Sequence, residues 1–401
     1  MDARTILADV CVVGDGAVGR AAALGFSQAG LRVALVGAGS QAAVADMQAS
    51  WDVRVFALNQ VAVQLLDSLK VWGALDASRI APVAEMKVMD AAVSADGAID
   101  FDAYGACMDE LAWIVEDRNL NAALASALRF APNMEQLTGF GRALSYTADG
   151  VQVQLDDGRC VQAALLVGAD GAQSWVRGQC DIGLDYRSYY QQGVVTNFEC
   201  ELPHRDVAHQ WFVGEQGIIA LLPLPGNRVS LVWSAPDDMV PQLLSEPLSA
   251  LAERLAVYSM PVLGRLTPLQ PELVRAFPLR LMRPHAMIAP RVALVGDAAH
   301  VVHPLAGHGM NLGFGDVRDL LSVVTGRESF RDCGDERVLR RYQRKRREDV
   351  ALMQWTTDGL ARLFGSDLPA VRLLRSAGLN LLNQLPVLKR ELISHAMGKR
   401  S

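Results

Sequence analysis

The 401-residue chain reads as an α/β protein: a Rossmann-like dinucleotide-binding domain interrupted by a mostly antiparallel β-sheet domain, with C-terminal helices. Three observations predict this. A glycine-rich turn lies between a strand and a helix near the N-terminus. The middle of the chain breaks into short strand-like runs separated by Gly, Pro and Asp turns. From Arg337 onward the pattern is helical and basic.

Asp9–Val13 is a short apolar, β-branched run and reads as a buried strand. Gly14-Asp-Gly16-Ala-Val-Gly19 follows, then a helix over Arg20–Ala29 stopped by Gly30, and a second strand at Leu31–Val36. Val53–Leu75 is predicted as a helix after a loop. Ile114–Leu128 is predicted as another, with Leu120, Leu124 and Leu128 at a helical interval. Val151–Leu155, Ala164–Val167, Val194–Cys200, Gln210–Val213, Ile218–Leu222 and Arg228–Trp233 are predicted strands. Pro225-Gly226-Asn227 is the turn of a hairpin over Gly217–Trp233. Val292–Val295 returns as a parallel-type strand, followed by a Gly-rich loop and a helix from about Asn311 to Val324. The nucleotide domain is expected to comprise 1–75, 100–180 and 281–336, the second domain 76–99 and 181–280, and the helical tail 337–401.

Composition narrows the function. With 20% charged and 51% AVILMFWYC residues the chain can bury a large core and is not a disordered one. A net charge of −6 argues against nucleic acid as a partner. Residues 337–401 hold 14 Lys+Arg and 5 Asp+Glu, a local +9 that leaves −15 for the rest. The six cysteines form no C-x-x-C and no Cys/His cluster at zinc spacing, so no metal is expected. Met1-Asp2-Ala3-Arg4-Thr5 lacks an apolar signal-peptide core. The longest stretch without Asp, Glu, Lys or Arg, Ala298–Gly315, carries three His, four Gly and a Pro, wrong for a membrane span. A cytoplasmic protein with reduced thiols is expected.

Three motifs carry the chemistry. In Gly14-x-Gly16-x-x-Gly19 the first glycine permits the tight turn. The second lets the backbone approach a pyrophosphate, and the third lets helix and strand pack closely. The acid expected at the end of the second strand, where it would bind ribose hydroxyls, is replaced by Gly37. Asp15 sets a carboxylate beside the place of a diphosphate, repulsive unless the side chain turns away. The second motif, Val295-Gly296-Asp297-Ala-Ala-His300, ends a strand and leads through His303-Pro304-Leu-Ala-Gly307-His308-Gly309-Met310-Asn311 into a helix. Asp297 can accept hydrogen bonds from ribityl hydroxyls, and the helix N-terminus favours the negative charge of a reduced flavin. The third, Leu166-Val-Gly168-Ala-Asp170-Gly171-Ala-Gln173-Ser174-Trp-Val-Arg177, reads alone as a strand ending in an Asp-Gly turn.

Together these motifs resemble the FAD-dependent aromatic hydroxylases of the p-hydroxybenzoate hydroxylase fold. Trp51-Asp-Val-Arg54-Val-Phe-Ala-Leu58, Trp113-Ile-Val-Glu116-Asp-Arg118-Asn-Leu120, Leu221-Leu-Pro223-Leu-Pro225, Pro304–Gly313 and the tail from Thr357 narrow the resemblance to the ubiquinone-biosynthesis hydroxylases, nearly end to end. The resemblance implies FAD, held by Gly14, Gly16, Gly19, Arg54, Arg118, Asp170, Gly296 and Asp297. It places Pro304, His308 and the Gly307, Gly309, Met310 and Asn311 backbone toward the ring. It also implies NAD(P)H as electron donor, O2, a flavin hydroperoxide, and hydroxylation of a polyprenylated phenol. The family usually has Gln where this chain has His308, and Arg where it has Gln173.

Trp211, Phe212, Leu222 and Pro223, with Ile218 and Leu224, are candidates for an apolar substrate wall. His300, His303, His308, Tyr189 and Tyr190 are nominees for a base that would form the phenolate; spacing singles out none. The basic tail suits docking on an anionic membrane surface or on other ubiquinone-biosynthesis proteins. The alternatives are a same-fold hydroxylase of a soluble aromatic, and a non-catalytic scaffold that has lost FAD.

Overall fold

In a computed structural model of the protein, residues 5–39, 50–90, 98–105, 107–302 and 308–364 are described. The chain begins β1 (Thr5–Val13), α1 (Ala17–Gln28), β2 (Val33–Gly37), β3 (Val55–Leu58), α2 (Gln60–Ser68), β4 (Ile80–Val83), β5 (Glu85–Asp90), β6 (Ala98–Asp102), β7 (Ala112–Glu116) and α3 (Asp117–Arg129). It continues β8 (Met134–Thr138), β9 (Gly141–Tyr146), β10 (Val151–Leu155), β11 (Cys160–Gly168), α4 (Trp175–Gln179), β12 (Leu184–Cys200), β13 (Val207–Phe212), β14 (Ile218–Leu224) and β15 (Arg228–Pro236). It closes with α5 (Val240–Ser245), α6 (Leu248–Leu263), β16 (Leu266–Pro268), β17 (Arg275–Pro284), β18 (Ile288–Ala289), β19 (Val292–Leu294), α7 (His308–Thr325) and α8 (Glu336–Phe364).

The first sheet runs β18-β19-β11-β1-β2-β8, with β10 on β11 and β9 on β10. β1 is parallel to both β11 and β2, and β19 is parallel to β11. Val10, Cys11 and Val12 are fully buried, the unbroken apolar run that a strand covered on both faces requires. The second sheet runs β16-β12-β15-β14-β13-β5-β6, with β17 also on β12. It is antiparallel except where β13 meets β5. The hairpin predicted on Pro225–Asn227 joins β14 to β15, with Leu224 opposite Arg228.

Two predicted helices each resolve into a strand followed by a helix. Asn59 accepts the Ala62 N–H on its side chain, so α2 starts at Gln60, and Val55–Leu58 before it pairs with β7. Likewise Ala112–Glu116 is β7, between β3 and β4, and α3 begins only at Asp117. Leu120, Leu124 and Leu128 are buried on α3, as their spacing predicts. β4 belongs with β3 and β7 in a small third sheet rather than with the second sheet.

Strand alternation divides the second sheet into two faces. Trp211, Ile219, Leu221, Leu231 and Trp233 pack against Leu251 and Leu255 of α6. Ala208, Leu222 and Leu224 turn the other way, toward Trp51, Val55 and Ala57. The Asn197 amide donates to the Asp52 carbonyl at 2.9 Å, fastening that second face to the segment entering β3.

α8 packs along α7, and the buried Tyr342 hydroxyl donates to the Leu294 carbonyl at 2.7 Å. Much of the basic segment is neutralised internally: Arg340 pairs with Glu336, Arg341 with Glu328, and buried Arg346 with Asp316. Among the described residues no helix is long and apolar enough to cross a membrane, and no group of His, Cys, Asp or Glu could hold a metal. The six cysteines are unpaired.

Candidate active site

At the end of β1 the Gly14 N–H donates to the Val36 carbonyl at 2.8 Å, so the glycine loop starts against β2. Gly14 takes φ +116, and a Cβ there would run into the Ala169 carbonyl. A Cβ on Gly19 would run into the Gly14 carbonyl, whereas Gly16 has no atom within 4 Å of the Cβ position. Gly16 is also the N-cap of α1 and supplies no side-chain cap. An uncapped helix N-terminus opening on free space is what a diphosphate requires, so these residues fit FAD.

The Gly-Asp loop leaves β19 and makes one 3₁₀ turn at Gly296–Ala298, with Gly296 at φ +61. Beneath it lies a buried charged cluster. Asp316 of α7 accepts the Gly296 N–H on Oδ2 at 2.8 Å, and His300 Nε2 lies 2.7 Å from the same oxygen. Its Oδ1 accepts from Arg346 Nε at 2.7 Å. Burial pushes the Asp316 carboxyl up, but His300 and Arg346 reverse this and hold it below the usual carboxylate range. Asp316 and Arg346 were not among the expected site residues; the available signal was an acid in the apolar run of α7 facing an arginine on the next helix.

Asp297 projects from this turn. Its side chain reaches solvent, yet the surrounding protein raises its pKa by desolvation, against the pull of His300 and Arg54. An accessible carboxylate on this turn suits a ligand that donates hydroxyl hydrogen bonds.

The two expected arginines take different positions. Arg54 is 65% exposed, 3.7 Å from Asp117 and close enough to Asp297 to influence its charge. Arg118 donates to the Ser50 carbonyl at 2.8 Å and to Ser50 Oγ at 3.2 Å. It thereby holds the segment that carries Arg54. Arg79, absent from the expected set, forks onto buried Glu116 at 2.5 and 2.8 Å and lies 4.3 Å over the Trp51 ring.

Asn311 uses its side chain structurally: Oδ1 accepts the Asn59 N–H at 2.9 Å, and Nδ2 donates to the Ala57 carbonyl at 2.7 Å. The first turn of α7 is thus tied to β3. Met310 packs on the core of the first sheet, while Gly309 is open on its Cβ side. Asp170 accepts Ser174 Oγ at 2.5 Å and the Val176 N–H at 3.0 Å, shaping the start of α4. Arg177, on the same turn, donates to the Ala298 carbonyl at 3.1 Å and so joins the Asp-Gly and Gly-Asp motifs. Pro304, Gly307, His303 and the His308 side chain lie outside the described residues.

The four expected wall residues separate by face. Leu222 packs toward Trp51 and β3, and Phe212 shares its face of the sheet by strand alternation at the other end of β13, whereas Trp211 lies in the core against α6. Pro223 sits opposite Val229 on that same α6 side. Of the nominated bases, His300 is buried against Asp316 and serves the loop. His209, unnoticed in the sequence, stacks on Trp211 at 5.5 Å; burial and Lys87 lower its pKa to about 4, so it is neutral.

Residues 7–356 match the family described as FAD binding domain. The chain is 35% identical over 395 residues to the 3-demethoxyubiquinol 3-hydroxylase of Escherichia coli (strain K12), spanning 97% of this chain and 98% of that protein. It is 35% identical over 396 residues to the ubiquinone hydroxylase UbiL of Rhodospirillum rubrum, spanning 98% and 90%. The crystal structure of p-nitrophenol 4-monooxygenase PnpA from Pseudomonas putida DLL-E4 shares the fold, with a TM-score of 0.75 at 20% identity over 99% and 100% of the chains. The glycine loop, the exposed carboxylate of Asp297 and these full-length likenesses lead to one conclusion: the chain belongs to the FAD-binding-domain family and is a flavoprotein monooxygenase of the aromatic hydroxylase type.

Proposed function

We propose that the protein hydroxylates the aromatic ring of a polyprenylated phenol in ubiquinone biosynthesis, with FAD, O2 and NAD(P)H as electron donor. The observation that carries this reading is the near-complete alignment with two ubiquinone hydroxylases. When bound, FAD that has been reduced by the donor activates O2 and supplies one oxygen atom to an electron-rich ring.

The chain's own residues have the remaining tasks. The open N-terminus of α1 and the exposed guanidinium of Arg54 bind the diphosphate, and Asp297 accepts the ribityl hydroxyls. The Asp316–His300–Arg346 cluster holds the Gly296–Ala298 turn rigid under Asp297. Leu222 presents apolar surface toward Trp51 and β3, which keeps water from the reacting ring and suits a prenylated substrate. Docking of the basic tail on a lipid surface or on partner proteins belongs to this reading. It rests on the exposed Arg344 and Arg347 and on residues 365–401, since Arg340, Arg341 and Arg346 are engaged by acids.

The test is flavin reduction by NAD(P)H under anaerobic conditions, followed at about 450 nm. A short-chain prenylphenol is expected to accelerate reduction and, in air, to leave with one added hydroxyl. Faster reduction with a soluble aromatic acid than with the prenylphenol would overturn the substrate assignment. A protein that takes up no FAD would overturn the reading altogether.

A further inference from the structure

The sequence lacks an acid at the end of β2, where dinucleotide folds place the carboxylate that binds adenosine ribose. β2 ends at Gly37. A Cβ built on Gly37 would run into the side chain of Asp15: its nearest neighbours are the Asp15 carboxyl carbon, Cβ and Oδ1, the last at 2.7 Å. The Asp15 carboxyl group therefore fills the volume that a side chain at position 37 would occupy. We propose that Asp15 takes over the ribose task, reaching from the glycine loop to the strand end and accepting hydrogen bonds from the ribose hydroxyls of FAD.

The loop geometry makes the exchange possible. The Gly14 N–H is fixed to the Val36 carbonyl at 2.8 Å, so the chain leaves β1 alongside the last residues of β2. Asp15 is the next residue, and it is only half-buried. The two departures from the usual pattern are then one feature. Glycine at 37 is required because Asp15 lies over it, and Asp15 is tolerated near a diphosphate because its carboxylate is directed onto Gly37. This inference rests on the FAD reading above, and it assigns a binding contact to a variable position inside the glycine fingerprint.

The test is the affinity of the apo-protein for FAD, from quenching of flavin fluorescence, and for ADP, by calorimetry. Thermal unfolding of each apo-variant reports on the fold. Asp15→Asn keeps the shape and removes the charge; it is expected to weaken both ligands at least about tenfold, because a charge-assisted hydrogen bond is lost. The exchange of Asp15→Gly together with Gly37→Glu is expected to recover affinity to within about threefold of the original protein. Gly37→Glu alone is expected to lower the unfolding temperature, since the two side chains compete for one volume. Unchanged or tighter binding in Asp15→Asn would overturn the inference, the tighter result identifying Asp15 as a repulsive charge. An unaltered protein that binds neither FAD nor ADP would overturn the flavoprotein reading as well, which separates the two failures.

Discussion

Asp316 shows how much a single side chain decides in this protein. It is fully buried, accepts from the Gly296 backbone, His300 and Arg346 together, and thereby sets the turn that carries Asp297. Asp316→Asn leaves Arg346 and His300 with a neutral partner, and removing one member of a buried ionic cluster is expected to cost roughly 3 kcal/mol in urea unfolding. The sign of the pH effect follows from the depressed carboxyl pKa. Its stabilisation is present above the ordinary value of 3.8 and is lost as pH falls through the lowered folded value. The unaltered protein should therefore lose stability on acidification more steeply below pH 3.8 than Asp316→Asn does. Equal acid slopes would remove Asp316 from this role.

The glycine loop and α1 separate two demands that the motif combines. Gly16 faces open space, while Gly19 presses on the Gly14 carbonyl. Gly16→Ala is expected to leave apo-protein unfolding within about 0.5 kcal/mol of the original. Its FAD binding should weaken at least about tenfold, because the methyl stands where the diphosphate approaches. Gly19→Ala is expected to lower the apo-protein unfolding temperature outright. The strands of the second sheet permit a similar separation. Trp211→Ala opens the core under α6 and is expected to cost about 3–5 kcal/mol of stability. Leu222→Ala, on the opposite face, should act chiefly by raising KM for a prenylphenol. If Trp211→Ala raises KM and spares stability, the assignment of faces fails.

The whole molecule works by bringing two sheets together around the segment at Trp51–Leu58. That segment is held from three sides: by Arg79 and Glu116, by Asn311 of α7, and by Asn197 from β12. Asn197→Ala removes the one of these contacts that comes from the second sheet and is expected to cost about 1 kcal/mol. In the proposed function that sheet shields the reacting ring, so a larger share of NAD(P)H electrons should appear as H2O2, measured by a peroxidase-coupled assay. Unchanged peroxide yield would show that the contact does not govern closure. Docking through the basic tail also belongs here: cations already paired with Glu336, Glu328 and Asp316 are satisfied within the molecule.

Local pattern was sufficient for the glycine loop, the β14–β15 hairpin and the buried leucines of α3, because each depends on neighbours within a few residues. The periodicity of Val53–Leu75 and Ile114–Leu128 concealed a strand at the head of each helix. Those strands exist because β3 and β7 pair across some 60 residues of chain, which no short window contains. The motifs carrying Arg54, Asp297 and Asp170 were legible as chemistry, but their division of labour was not. Whether an arginine stays exposed, as Arg54 does, or grips a loop, as Arg118 does, depends on what the fold sets beside it. The same reason governs Trp211 and Phe212, adjacent in sequence and on opposite faces of the sheet, and it governs Asp15. As a sequence position Asp15 was an anomaly beside a diphosphate. Its meaning comes from lying over Gly37, a contact made by the turn at Gly14 and the pairing of β1 with β2.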